Sequence, residues 1–215
     1  MSHTTMEFGG QTLRLLPEKA IFHEASSTLL VADMHLGKEF SFQSRGIPVP
    51  QLYSEYDLSI IEKLNKAWGF ERVIVLGDLI HDEFSLPKAF VQKIGCWLDA
   101  KNFEVVLVAG NHDRHLKKKN PQWRLSVRSL GDLSGIHLVH DQPAADFEGY
   151  SIGGHLHPVF ELKNRVDRLI FPCFWLKGRH LTLPSFGSLT GGEKIRPSGK
   201  DGVWIVHNGK TQLIN

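Results

Sequence analysis

Seven side chains that can bind metal ions stand at or near the ends of apolar stretches of this chain. They are Asp33, His35, Asp78, Asn111, His140, His155 and His157. One cation takes fewer protein ligands than this if it keeps a position open for water or substrate, whereas two cations that share a ligand can use all seven. A carboxylate suits the shared position because each of its two oxygens can face one cation. The set therefore predicts a two-metal site with Asp78 as the bridge.

The charges of such a site suit a phosphate ester. Two divalent cations bring four positive charges, and the carboxylates of Asp33 and Asp78 with a bridging hydroxide remove about three of them. The remaining positive charge favours a phosphodiester anion, and a metal pair lowers the pKa of the bridging water so that its hydroxide can attack phosphorus. The donors are imidazoles, carboxylates and one amide, and they accept Mn, Fe, Co, Ni or Zn.

The segments that would carry these ligands are short and strongly apolar. Residues 28–32, 72–76 and 104–108 predict buried strands, and each is followed within three residues by one of the ligands. Apolar residues at helical spacing predict one helix over residues 52–68 and a second over residues 90–98. The β-α-β-α-β order indicates a parallel sheet, and ligands of such sheets bind outside the carboxyl ends of the strands.

The second half of the chain has shorter strands and more turns. Residues 137–139, 150–152, 169–176 and 180–183 predict strands, and Asn208-Gly209 predicts a tight hairpin near the C-terminal end. Together with the preceding β-α units, these strands predict an α/β fold with two packed sheets and helices outside them.

Length and composition restrict the class of protein. A chain of 215 residues that is 41% hydrophobic can bury one full core, so we expect a single domain over residues 1–215. The net charge of +2 provides no overall basic field, so any contact with nucleic acid must be local. Cys96 and Cys173 form no ligand or redox motif, and no apolar run reaches the length of a membrane span. We expect a cytoplasmic protein without a membrane partner.

The ordered motifs resemble the five blocks of the calcineurin-like metallophosphoesterases. The matching blocks are Asp33-x-His35, Gly77-Asp78, Gly110-Asn111-His112-Asp113, His140 and Gly154-His155-x-His157. The resemblance implies a four-layer α/β/β/α sandwich of two mixed sheets flanked by helices. It implies one cation on Asp33, His35, Asp78 and His157, and a second on Asp78, Asn111, His140 and His155. It also implies that His112 protonates the leaving group and that Asp113 orients His112.

Two departures from the general pattern resemble a narrower group, the bacterial DNA ligase-associated phosphoesterases. The chain has Ile80-His81-Asp82 where many members carry an acidic residue, and His140-Asp141-Gln142-Pro143 where His-Gly is usual. This resemblance implies a manganese-dependent nuclease or phosphodiesterase. It also implies a role in DNA repair or end processing beside an ATP-dependent DNA ligase and a helicase.

The substrate contacts are less sharply defined. We expect Lys38, Arg45, His81 and Arg114 to contact the substrate, although His81 could instead support the bridging carboxylate. The basic run over residues 114–119 either contacts nucleic acid or forms a solvated face.

Two interpretations of three aromatic side chains, and three functions of the protein, remain open at this point. Phe174, Trp175 and Phe186 could stack on bases, but core packing is the simpler interpretation. The favoured function is a two-metal phosphodiesterase acting on nucleic acid, and the second is a hydrolase of small nucleotides or cyclic phosphates. A non-catalytic scaffold is the third, and it is disfavoured because the ligands and His112 are all retained.

Overall fold

A seven-stranded sheet carries the N-terminal half of the protein. The computed structural model describes residues 3–82, 86–113, 116–144, 146–163 and 167–214, without the side chains of residues 117 and 119. The strands, in their order across the sheet, are β1 (Thr4–Phe8), β2 (Gln11–Leu16), β3 (Ala20–His23), β4 (Thr28–Ala32), β5 (Arg72–Leu76), β6 (Glu104–Val108) and β7 (Ser126–Arg128). Strands β4 to β7 are parallel, as predicted for the β-α units, and β1 to β4 are antiparallel.

The three central strands end at the same level. Ala32 of β4 pairs with Leu76 of β5, and Leu76 pairs with Val108 of β6. All of β4, and all but the first residue of β5 and β6, is buried, as expected of parallel strands covered on both faces. The residues that follow these strands therefore leave the sheet side by side.

Four α-helices occur in the described residues. They are α1 (Lys38–Ser44), α2 (Tyr53–Trp68), α3 (Lys88–Asp99) and α4 (Leu116–Lys119). Helices α2 and α3 confirm the two predicted helices, and Gly69 ends α2 with φ 65°, a conformation that glycine adopts without strain. Helix α1 was not predicted. Its Glu39 is buried and accepts hydrogen bonds from the backbone N–H and the hydroxyl of Ser54, so a contact with α2 stabilises it.

The second half of the chain forms a nine-stranded mixed sheet. Its strands are β8 (Gly131–Leu133), β9 (Ile136–Leu138), β10 (Ser151–Gly153), β11 (Pro158–Lys163), β12 (Arg168–Lys177), β13 (His180–Thr182), β14 (Glu193–Lys194), β15 (Gly202–His207) and β16 (Lys210–Leu213). Their order is β14-β11-β12-β13-β10-β9-β8, and β15 pairs with β12 and β16. The predicted hairpin at Asn208-Gly209 joins β15 to β16, with φ of 49° and 66° at the two turn residues.

The two sheets pack face to face through a fully apolar core. Leu30, Ile74 and Val106 of the first sheet belong to the same buried cluster as Leu138 and Ile152 of the second. Burial of each such side chain contributes about 1.5–3 kcal/mol, so this interface fixes the two sheets relative to each other. The predicted α/β fold with two packed mixed sheets is confirmed.

The outer faces of the two sheets are covered differently. Helices α2 and α3 pack on the first sheet through Leu58, Ile61 and Ile94. The outer face of the second sheet packs Phe171 and Val203 with Ile195, which follows β14 in irregular chain. Within the described residues, this layer over the second sheet contains no helix. None of the described helices has both the length and the apolar character needed to cross a membrane.

Candidate dimetal site

The candidate ligands lie on tight turns that follow the aligned strand ends. Five of the seven have a positive φ between 47° and 66°, namely Asp33, His35, Asp78, His155 and His157. This left-handed region is unfavourable for residues other than glycine, and it persists where the surrounding structure imposes it. The backbone N–H of His35 donates to the Asp78 carbonyl oxygen over 2.9 Å, which ties the first turn to the second. The fold therefore imposes a strained backbone at the positions that sequence analysis assigned to metals.

A first group of donors contains Asp33, His35 and His157. The Nε2 atoms of His35 and His157 are 3.4 Å apart, and His157 Nε2 is 3.3 Å from Asp33 Oδ1. Burial, followed by nearby cationic groups, lowers the pKa of His35 to about 2, so its imidazole is neutral and able to bind a metal. Asp33 Oδ2 accepts a hydrogen bond from the His155 backbone N–H, whereas the buried Oδ1 has no hydrogen-bond partner in the described residues. A buried oxygen of this kind needs compensation, and a cation bound between these donors would provide it.

A second group contains Asp78, Asn111, His140 and His155. His140 Nε2 is 3.0 Å from Asn111 Oδ1, 3.0 Å from His155 Nδ1 and 3.6 Å from Asp78 Oδ2. The other ring nitrogen of His140 is 3.1 Å from the Leu76 carbonyl oxygen, which can only accept. His140 Nδ1 therefore carries the proton, and the lone pair of Nε2 faces the other donors.

Asp78 connects the two groups through one oxygen. Its Oδ2 is 3.6 Å from His140 Nε2 and 3.9 Å from His35 Nε2. Its Oδ1 instead accepts a hydrogen bond from the His112 backbone N–H over 3.0 Å. We expected each carboxylate oxygen to face one cation, but here a single oxygen faces both groups and the other positions a loop.

Three glycines leave room for these side chains. A Cβ atom at Gly77 would lie 1.8 Å from His140 Nδ1, and one at Gly110 would lie 2.3 Å from Asp78 Oδ1. A Cβ atom at Gly154 would lie 2.3 Å from Asp33 Oδ2. Sequence analysis did not identify this steric role, although the signal is present as a glycine directly before Asp78, Asn111 and His155.

His112 lies at the open side of the donor groups. Its Nε2 is 3.9 Å from Asp78 Oδ2, and its side chain is 38% exposed. Its ring meets His35 edge-on at 5.4 Å and stacks on His81 at 5.6 Å. His112, His35 and Asp78 also lie close enough together to form a donor cluster. The imidazole is thus placed to reach a substrate held by the donors.

Asp113 acts on the backbone beneath His112. Its Oδ1 accepts from the Leu79 N–H and its Oδ2 from the Gly110 N–H. Burial is the main cause that raises the pKa of Asp113 to about 6. We expected the carboxylate to orient the His112 ring directly, but both oxygens are used on backbone amides. Asp113 therefore fixes the turn that carries Asn111 and His112.

Two of the expected substrate contacts belong to helix α1 and its C-terminal end. Lys38 is the first residue of α1, and Arg45 directly follows its last residue. The pKa of His81 is lowered to about 4, mainly by burial and also by the charges of Lys38, His112 and Arg45. Burial lowers the pKa of Lys38 itself. His81 lies beside the first donor group, because its ring centroid is 5.4 Å from that of His35, and the charges of Lys38 and Arg45 act on it. Arg114, the fourth expected substrate contact, lies outside the described residues.

The three aromatic side chains considered for base stacking are all buried. Phe174 and Phe186 are buried at 0% and 1% exposure and belong to the core. Trp175 is buried at 9% exposure on the opposite side of β12 from Phe174, where it packs with Cys173 and Val203 and also lines a cavity. Core packing is thus the correct interpretation for all three side chains.

The chain is similar to proteins of known family and structure. The model of the calcineurin-like phosphoesterase family matches residues 27–210. The nuclease MPE of Pseudomonas putida has a crystal structure that aligns with 99% of this chain and 100% of that chain, with 30% identity and a TM-score of 0.83. The phosphoesterase Yfce of E. coli aligns with 84% of this chain and 88% of that chain, with 15% identity and a TM-score of 0.43. No curated protein sequence matches the chain significantly.

The family match spans all seven candidate donors and most of the chain. The full-length similarity to the Pseudomonas putida nuclease agrees with the narrower resemblance drawn from the motifs. The chain therefore belongs to the calcineurin-like phosphoesterase family and is a metal-dependent phosphoesterase.

Proposed function

We propose that this protein is a two-metal phosphodiesterase that cleaves DNA. The observation that carries the proposal is the position of Asp78 Oδ2, 3.6 Å from His140 Nε2 in one donor group and 3.9 Å from His35 Nε2 in the other. A carboxylate oxygen shared in this way suits two adjacent cations better than one. The name and full-length similarity of the Pseudomonas putida nuclease support a nucleic acid as the substrate.

We assign the ligands in two overlapping sets. The first cation would be held by Asp33, His35, Asp78 and His157, and the second by Asp78, Asn111, His140 and His155. The nitrogen and oxygen donors fit Mn²⁺, and also Fe, Co, Ni or Zn, because the set contains no thiolate. Bound there, two divalent cations supply activation of a water molecule and neutralisation of phosphate charge.

The remaining residues act on the substrate. His112 is exposed at the open side and donates a proton to the oxygen of the leaving group. An alkoxide needs this proton because it is a poor leaving group without it. The stacked ring of His81 limits how the His112 ring can move. Lys38 and Arg45 add positive charge beside the first donor group, where a flanking phosphate would lie.

The exposure of the site favours a polymer over a small nucleotide. His112 and His155 are 38% and 43% exposed, so the donors lie at an open edge rather than in a closed pocket. A strand can pass such an edge, whereas sites specific for small ligands bury most of the ligand surface. The alternative, a hydrolase of nucleotides or cyclic phosphates, lacks a comparable observation.

The cellular role follows from the narrower resemblance. We propose DNA repair or end processing beside an ATP-dependent DNA ligase and a helicase. A DNA substrate, together with the exposed free thiol of Cys96, favours the cytoplasm.

A panel of substrates tests the proposal. The metal-free protein is loaded with Mn²⁺ and assayed on single-stranded DNA, a cyclic nucleotide, a nitrophenyl diester and a nitrophenyl monoester. We expect cleavage of the DNA and the diester, with a kcat/KM that rises with oligonucleotide length. A kcat/KM that is highest for the cyclic nucleotide and independent of DNA length would support the alternative.

A further inference from the structure

A cavity lies close to the second donor group. Its volume is about 380 Å³, and its lining includes Phe147, Ser151, Trp175, Lys177, Arg179 and His180. Ser151 and Trp175 alternate along their strands with Ile152 and Phe174, which face the core between the sheets. The cavity therefore lies on the outer face of the second sheet.

The cavity is near enough to the donor group to belong to the same binding surface. One of its lining residues, Gln142, follows the ligand His140 by two residues, and Ser151 precedes the ligand His155 by four. Four residues of extended chain span at most about 14 Å. Asp141, the residue before Gln142, lies beside the donor group, because its Oδ2 is 3.9 Å from His155 Nε2. A strand bound at the donors would reach the cavity within a few nucleotides.

The described lining carries two cations and no carboxylate. The Arg179 guanidinium lies over the Tyr150 ring, 5.5 Å from its centroid, and its Nη1 donates to the Glu148 carbonyl oxygen. This bond uses one of the five N–H groups of the guanidinium, and the two contacts hold the group in place. An arginine fixed in this way is preorganised for a phosphate.

Aromatic rings form another part of the wall. The indole N–H of Trp175 donates to Asp201 Oδ2 over 2.9 Å, and the ring face is covered by the ammonium of Lys177, 5.5 Å from the centroid. The ring of Phe147 packs on His137 at 4.8 Å and is half-buried. Trp175 is buried, so the half-buried ring of Phe147 is the aromatic group that a base can contact.

We propose that this cavity binds one nucleotide of the DNA strand a few positions from the scissile phosphate, on the side of the second donor group. Arg179 and Lys177 contact its phosphate, and Phe147 contacts its base. Cations combined with aromatic rings are the usual means of binding single strands. A paired base cannot enter a cavity, so the inference also predicts a preference for single-stranded or frayed DNA. It rests on the proposed function.

The test compares two pairs of substitutions. Lys177→Gln/Arg179→Gln removes the two cations of the cavity, and Arg72→Gln/Lys210→Gln removes the same charges from exposed positions outside it. Each protein is loaded with Mn²⁺ and assayed on a single-stranded oligonucleotide and on a nitrophenyl diester too small to reach the cavity. We expect the cavity variant to raise the oligonucleotide KM about tenfold or more relative to the control variant. The slope of log KM for the oligonucleotide against log salt concentration should be smaller in the cavity variant by about one to two.

A second measurement tests the contact with the base. An abasic site is moved along the oligonucleotide one position at a time. In the wild type one position should raise KM distinctly, and in the cavity variant this position should lose its effect.

Equal KM values for the cavity and control variants, with DNA still cleaved, would refute the nucleotide site alone. A loss on the nitrophenyl diester would also refute it, because the substitutions would then act on the metal centre. A wild type that hydrolyses the diester but not DNA would refute the proposed function, and this inference with it.

Discussion

The backbone N–H of His112 donates a hydrogen bond to Asp78 Oδ1 over 3.0 Å. The residue proposed to protonate the leaving group is thus positioned by the carboxylate proposed to bridge the cations. The other oxygen of Asp78 faces both donor groups, 3.6 Å from His140 Nε2 and 3.9 Å from His35 Nε2. A change at Asp78 should therefore affect both groups and the loop that carries the proton donor.

The first prediction is that Asp78→Ala lowers metal occupancy at both positions and reduces turnover at least about 100-fold with every metal. The control Asp99→Ala removes an exposed carboxylate from the end of α3 and should leave both properties unchanged. Metal analysis after gel filtration and assays on a nitrophenyl diester measure the two effects. Two bound metals with more than a few per cent of wild-type turnover would contradict the bridging role.

The second prediction separates His112 from the ligands. A sugar alkoxide is a poor leaving group unless it is protonated, and general-acid help is worth about 10²–10⁴-fold. His112→Ala should keep both metals, lose activity by about this factor on DNA, and lose much less on a nitrophenyl diester. Single-turnover rates make the comparison, because they report the chemical step. Equal losses on both substrates would assign His112 to charge stabilisation, and loss of metal would make it a ligand.

The third prediction concerns the glycine before the bridging carboxylate. A Cβ atom at Gly77 would lie 1.8 Å from His140 Nδ1, so Gly77→Ala should displace the imidazole and empty the second metal position. Gly69→Ala is a matched control, because Gly69 also has a positive φ, of 65°, but has open space around the added atom. The control should lower the free energy of unfolding by about 1 kcal/mol and keep both metals. Full occupancy of the second position in Gly77→Ala would show that His140 is not required there.

The fourth prediction concerns the pH dependence of stability. Burial lowers the pKa of His180 from 6.5 to about 4, so the folded state binds fewer protons than the unfolded state between these values. The contribution of His180 to the free energy of unfolding is fully present above the pKa of the unfolded state. It is lost as the pH falls towards the pKa of the folded state, and the loss is roughly 3 kcal/mol at most. His180→Gln does not titrate. The free energy of unfolding of the wild type relative to His180→Gln should therefore fall between about pH 7 and pH 4, as measured by urea denaturation with chelator. A constant difference over this range would contradict the prediction.

The clustering of the candidate ligands could be predicted from sequence because each of them follows a short apolar strand. The runs before Asp33, Asp78 and Asn111 are buried along most of their length, and parallel strands bring their carboxyl ends to one edge. The strained backbone of Asp33 and Asp78, with φ of 51° and 50°, could not be read from the sequence. It results from packing between turns that are distant along the chain.

Sequence analysis did not predict helix α1 or the cavity on the outer face of the second sheet, for a similar reason. The seven residues of α1 contain little apolar periodicity, and contacts from Glu39 to Ser54 and from Phe40 to Phe90 stabilise the helix. The described lining of the cavity comes from Gln142, Phe147 and Ser151 and from the β12–β13 hairpin, so its residues form no local motif. A lysine and an arginine on either side of Gly178 were the available signal.

A titration of the metal-free protein with Mn²⁺ tests the central claim most directly. Bound Mn²⁺ per chain and the rate of hydrolysis of a single-stranded oligonucleotide are measured on the same samples. The account predicts no cleavage by the metal-free protein and a rate that rises to a plateau at two bound Mn²⁺ per chain. Full activity without bound metal, a plateau at one Mn²⁺ per chain, or two bound Mn²⁺ without DNA cleavage would contradict it.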